Sequence, residues 1–209
     1  MRTISSFSKL AFDEYSEGKN NNLANFLQII HQGSLKMDKL IKSILAYSTN
    51  GLCVNSMSLF SSDELIIEVL IMLDDSIQEK KVQINFENMP FVYADRLQML
   101  QLFQNLISNS IKFCSNETAP IINIYAAQKD RFVEFQVNDN GVGIPKRYHK
   151  EIFLPFKRFH SRSEGSMYGI GLSLCKKIVE NHGGSIKMSS QENVGTTFKF
   201  LLPCKGVDC

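Results

Sequence analysis

Hydrophobic spacing changes character near residue 50, and that change limits the fold more than any other feature of the chain. Leu23, Leu27, Ile30, Ser34, Met37, Ile41, Ile44 and Ser48 recur at alternating intervals of four and three. Phe26, Leu40 and Tyr47 widen the same face. The pattern predicts one long amphipathic helix with a coiled-coil-like seam. Ile4, Phe7, Ala11 and Tyr15 fit a shorter helix before it, and the polar run Ser16–Asn22 reads as the connecting turn. Two antiparallel helices cannot bury so broad an apolar stripe alone. Pairing with a second hairpin gives a four-helix bundle and a homodimer. Packing on the downstream part of the same chain is the other way to cover the stripe.

From residue 51 the spacing becomes mixed. Ser61-Ser62-Asp63-Glu64 reads as a capping box for a helix running to about Lys80. Val82–Phe86, Ile121–Ala127 and Phe132–Asn138 alternate with period two, as strands do. Asp95 is a cap for a helix that buries Leu97, Leu100, Phe103, Leu106, Ile107 and Ile111. A further helix is expected over Tyr168–Asn181, ended by His182-Gly183-Gly184. Ser185–Ser189 and Thr196–Leu202 read as a closing hairpin. The order predicts an α+β fold: a two-layer α/β sandwich, with a mixed sheet carrying helices on one face. The expected division is a hairpin over residues 1–50 and a sandwich over residues 51–209.

Composition narrows the function. A net charge of +2 offers no basic field for nucleic acid or an anionic membrane. No apolar run reaches the roughly 18 residues a spanning helix needs, so no membrane insertion is expected. The five cysteines, Cys53, Cys114, Cys175, Cys204 and Cys209, form no C-x-x-C pair, and free thiols in a reducing compartment are expected.

Three stretches carry chemistry. Asn105, Asn109 and Lys112 stand at i, i+4 and i+7 of one helix and share a face. Two carboxamides and an ammonium in a row suit a magnesium ion with phosphates, since Mg2+ takes few protein ligands; they equally suit a plain polar face. Asp139 closes a strand and is followed by Gly141 and Gly143. A carboxylate only accepts hydrogen bonds, so it suits the exocyclic amino group of adenine and rejects guanine, which has a carbonyl there. The glycines remove side chains where a flat base must approach. Gly169-Ile170-Gly171-Leu172 opens an apolar helix, whose free N–H groups favour an anion. Between them, Phe153-Leu154-Pro155-Phe156 is an apolar anchor for the polar run Lys157–Ser166. That run reads as a lid over phosphates, with Arg158 the cation expected to reach them, or as a solvated loop.

In this order, the residues resemble the catalytic region of sensor histidine kinases, within the ATPase superfamily that includes gyrase and Hsp90. Asn105–Phe113 resembles the N box, Asp139–Gly143 the first glycine box and Phe153–Phe159 the F box. Gly169–Leu172 resembles the second glycine box, and Gly195-Thr196-Thr197-Phe198 the terminal G-T-x-F element. Leu45-Ala46-Tyr47-Ser48 and Phe159-His160-Ser161-Arg162 are similar to the phytochrome-like branch. The resemblance implies ATP and Mg2+ as cofactors. It assigns Asn109 to the metal and Asp139 to the adenine amino group. Asn105, Lys112 and the glycine boxes, Leu172 included, go to the phosphates, and Thr197 to the nucleotide. It also implies a response-regulator receiver domain as partner and a cytoplasmic location.

Two departures from the family pattern stand out. The segment Met1–Phe7 resembles sequence just after the phosphoacceptor, so the acceptor histidine is expected to be missing from this chain. His31 falls on the second helix, at the wrong place. Met167-Tyr168 stands where the second glycine box usually has Gly-Thr. Two functions follow from these readings. One is the ATP-binding and dimerisation region of a histidine kinase. The other is a nucleotide-insensitive dimeric interaction module on a degenerate kinase scaffold.

Overall fold

The computed structural model describes residues 2–18, 22–49, 56–114, 119–157 and 169–204. The chain falls into two compact units, Met1–Ala46 and Tyr47–Cys209.

The first unit is a helical hairpin. Helices α1 (Arg2–Ser16) and α2 (Leu23–Thr49) run antiparallel. Phe7 meets Phe26 with ring centroids 5.7 Å apart, and Ile4 packs on Gly33. The Glu14 carboxylate takes the backbone N–H and the side-chain amide of Asn22, both at 3.0 Å, and so closes the turn. Ala11 is buried, whereas Leu10, Phe12, Tyr15, Leu27 and Leu35 remain exposed. Among the described residues, no helix is long and apolar enough to cross a membrane.

The second unit is the α+β sandwich. Its five-stranded sheet has the order β2-β4-β5-β7-β6. Strand β2 (Gln83–Phe86) runs parallel to β4 (Ile121–Lys129). Strands β5 (Phe132–Asp139), β7 (Gly195–Pro203) and β6 (Ser185–Gln191) follow antiparallel. Alternation decides which side chains go inward. Val133, Phe135, Val137 and Asp139 of β5 are buried, with Thr196, Phe198, Phe200 and Leu202 of β7. Helices α3 (Ser62–Met72), α4 (Asp74–Lys80), α5 (Arg96–Lys112) and α6 (Gly171–Asn181) complete the unit. The core centres on α5. Phe103 meets Phe135 and Phe200 edge-on at 5.4 and 5.5 Å, and those two rings stack at 5.0 Å. Each such aromatic pair adds about 0.5–1.5 kcal/mol to its area burial.

Four details depart from the sequence expectation. Leu97, expected among the buried residues of α5, is 72% exposed. The helix expected to reach Lys80 unbroken stops at Leu73, whose φ of −106° and ψ of 6° are not helical, and Asp74 and Asp75 start a new helix. Residues given no strand by their spacing form β1 (Met57–Ser61) and β3 (Phe91–Asp95), an antiparallel ribbon apart from the main sheet. Helix α6 begins at Gly171, and Tyr168 lies outside the described residues.

The expected caps form. Ser61 Oγ accepts from Glu64 N, and Asp95 Oδ1 from the N–H groups of Leu97 and Gln98 at 3.1 Å. Helix α6 ends in a Schellman closure: Gly183 N–H donates to Glu180 O and Gly184 N–H to Val179 O, both at 2.9 Å. Its cap, His182, is buried and accepts the Asp95 N–H at Nε2, 3.0 Å away. Nδ1 therefore carries the proton and donates to Ile178 O at 2.8 Å. The end of α6 is thus fixed to the start of α5.

Candidate functional site

Helix α5 buries Met99, Leu102, Phe103, Leu106, Ile107, Ser110 and Ile111, and carries Asn105, Asn109 and Lys112 half-buried along another face. Asn105 Nδ2 donates to Gln101 O, one turn back, at 2.9 Å. Its Oδ1 then faces Gly171, where a Cβ would stand only 3.1 Å away. Asn105 therefore sits against the first residue of α6. The N-cap of α6, Ile170, offers no side-chain acceptor, so among the described residues no side chain caps the first-turn N–H groups there. Lys112 Nζ lies 5.1 Å from the centre of the Phe113 ring. The Asn109 amide makes no hydrogen bond to another described residue.

Asp139 ends β5 with its carboxylate directed at α5. Oδ2 accepts from Ser110 Oγ at 3.0 Å. Oδ1 accepts the backbone N–H groups of Gly141 and Thr196, at 3.0 and 3.2 Å. Burial raises its pKa above the ordinary aspartate value, and these three donors partly oppose that rise. The shift reflects a carboxylate that is buried yet supplied with donors, and perturbed groups of this kind cluster at functional sites.

The glycine loop after Asp139 is locked from both sides. Val142 N–H donates to Phe113 O at 3.0 Å, and Asn193 N–H to Val142 O at 2.8 Å. A Cβ on Gly141 would collide with the Phe113 carbonyl. Gly143 has φ of +67° and touches the Gln191 backbone, so both its conformation and the space around it require glycine. Gly169 packs on the Lys157 backbone, and its carbonyl takes Phe156 N–H at 2.9 Å. The two ends of the expected lid are therefore joined. Arg158 itself lies outside the described residues, as do Met167-Tyr168.

The structure thus brings Asp139 and Gly141 to the C-terminal end of α5, sets Gly143 against Gln191, and brings Asn105 to Gly171, with Leu172 half-buried in the same first turn of α6. Thr197 is not part of this gathering. It pairs with Asn138, whose Nδ2 donates to Thr197 Oγ1 at 2.7 Å, on the sheet face opposite Asp139. The threonine beside Asp139 is Thr196, bonded through its N–H to the carboxylate and through Oγ1 to Ser190 at 2.9 Å. The period-two pattern of β7 could have separated them, since Thr196 shares a face with Phe198 and Phe200. Ser110 was also missed. Only its place one residue after Asn109 hinted at it.

Among the described residues, no three histidine, cysteine or acidic side chains gather in a way that could hold a metal. A magnesium ion would therefore depend on neutral oxygens and on a phosphate ligand.

Comparison with known proteins identifies the family. Residues 94–206 match the family model described as histidine kinase-, DNA gyrase B- and HSP90-like ATPase. The phytochrome-like protein Cph1 of Synechocystis sp. is 34% identical over 97% of this chain, which spans 27% of that protein's length. The catalytic domain of the histidine kinase ThkA superposes with a TM-score of 0.61 at 30% identity, covering 71% of this chain and 95% of that one. ThkA in complex with the response regulator TrrA gives a TM-score of 0.70 at 25% identity, over 97% of this chain and 58% of that one. The family match over residues 94–206 and the likeness to the ThkA catalytic domain show that this chain belongs to the histidine kinase-, DNA gyrase B- and HSP90-like ATPase family, on its histidine kinase branch.

Proposed function

We propose that the chain binds magnesium–ATP in its sandwich and dimerises through its hairpin, as the catalytic region of a sensor histidine kinase. The observation that carries the reading is the buried Asp139 carboxylate, held by Ser110, Gly141 and Thr196. Four donors are needed to saturate a carboxylate, and three are supplied by the protein. The remaining lone pair suits an adenine amino group. Bound ATP supplies the γ-phosphoryl group, which would go to a histidine and then to a response-regulator aspartate. None of the four histidines of this chain is proposed as that acceptor.

The chain's own residues position and neutralise. Asn109 would offer its carboxamide oxygen to Mg2+, and Asn105, Lys112 and the uncapped start of α6 would hold phosphates. In phosphoryl transfer the protein contributes chiefly such positioning and charge compensation. Arg158 is kept as a proposed phosphate contact from the lid. Thr197 faces the wrong side of the sheet, and its role passes to Thr196. The exposed Tyr15 and Leu27 support the dimer, since a four-helix bundle would cover them. A cytoplasmic location is proposed with the receiver-domain partner.

Titration of a fluorescent ATP analogue with Mg2+ tests the reading. Asp139→Asn replaces an acceptor by a donor and should weaken binding roughly 100-fold, the equivalent of an unsatisfied buried polar group. Asn109→Ala should weaken binding only when Mg2+ is present. Unchanged binding in both variants would overturn the proposal.

A further inference from the structure

The last carbonyls of a helix lack helical partners and must be satisfied otherwise. At the end of α6 the chain itself turns back through Gly183 to do so. Helix α5 has no such closure. The residue after its cap, Cys114, does not enter the left-handed region that makes this turn, as Gly183 does in α6. Its carbonyls are instead shared between two neighbours. Phe113 O accepts Val142 N–H from the glycine loop. The carbonyls of Ile111 and Lys112 accept from the ammonium of Lys80, at 3.0 and 3.2 Å. The same Nζ lies 3.6 Å from Cys114 Sγ. Lys80 is the final residue of α4, and Lys81 ends that helix with φ of +52°.

We infer that Lys80 is a positioning residue for the magnesium–nucleotide site, acting through the last turn of α5 and not on the ligand. Its three N–H groups already have three acceptors, two carbonyls of that turn and the Cys114 sulfur just beyond it, which leaves none for a phosphate. A cation at a helix C-terminus also compensates the dipole there. That turn bears Asn109 and Lys112, so the direction of the Asn109 amide depends on how the helix end is held. Partners that orient a metal ligand typically change metal affinity by 10–100-fold. The inference rests on the nucleotide reading given above.

The test uses the whole chain and compares Lys80→Met, Lys80→Arg and wild type. Affinity is measured for ATP with excess Mg2+ and for ATP in a chelator. Lys80→Met should weaken magnesium–ATP by at least tenfold or so, and chelated ATP much less. Lys80→Arg keeps the cation and its donors and should restore most of the loss. Equal losses in both conditions, or no loss, would overturn the inference, since a purely structural role does not distinguish them. Should Lys80→Met fail to fold, Lys80→Gln, which keeps an N–H donor without the charge, is read the same way. Failure of the wild type to bind magnesium–ATP at all would remove the site reading itself. Binding that responds to Asp139→Asn but not to Lys80 substitutions would remove this inference alone.

Discussion

The hairpin and the sandwich solve the problem of apolar surface in opposite ways. In the sandwich, Phe103, Phe135, Phe200, Leu102, Leu106 and Ile107 are all but fully enclosed. In the hairpin, Ala11 is buried, while Phe12 and Tyr15 keep 69% and 72% of their surface exposed. Sheet and helix layers face each other, so each covers the apolar side of its neighbour. Two helices alone leave most of their circumference uncovered. The hairpin therefore leaves uncovered the apolar surface that the proposed dimer would bury, while the sandwich encloses a core of its own.

The comparison is most severely tested in the sandwich core. Phe103→Ala removes the ring that meets Phe135 and Phe200 and should cost about 3–5 kcal/mol in denaturant unfolding. A smaller loss would mean that the core is less self-contained than its burial suggests. The hairpin gives the complementary test. Tyr15→Ser with Leu27→Ser should shift sedimentation from dimer toward monomer, with the sandwich transition unchanged. A change in that transition, with no change in mass, would show that the stripe packs within one chain.

The smallest expected effect lies at the site. Ser110→Ala should cost about 1 kcal/mol, because it removes one hydrogen bond to a buried carboxylate. It also removes a donor that lowers the Asp139 pKa, so that pKa should rise further. Nucleotide binding needs the ionised acceptor, and its acid limb should move to higher pH. The stability effect has the opposite sense. A raised carboxylate pKa contributes stability that is complete below the ordinary 3.8 and is lost as pH rises through the folded value. Wild type and Asp139→Asn should therefore diverge in stability across that window, and Ser110→Ala should widen it.

Much of this was readable in order along the chain. Val133, Phe135 and Val137 alternate, and alternation alone predicts a half-buried strand. Asp95, Ser61 and the His182-Gly183-Gly184 stop act through atoms within a few residues of themselves, so local chemistry was enough to place the helix ends. The short strands β1 and β3 were not readable, because each finds its partner only across α3, α4 and β2. Thr197 was assigned by motif, and strand parity sends it to the other face.

What the sequence by itself determined was the kind of structure: where periodicity switches, where helices begin and stop, and which residue types could meet a nucleotide. Those properties depend on near neighbours and on side-chain chemistry, both written in the chain. Only the tertiary structure decided that Ser110 and Thr196 hold Asp139, and that Lys80 holds the end of α5. Such bonds join residues 29, 57 and 31 positions apart, and a donor and acceptor so far removed in sequence meet only when sheet register and helix packing bring them within 3.2 Å.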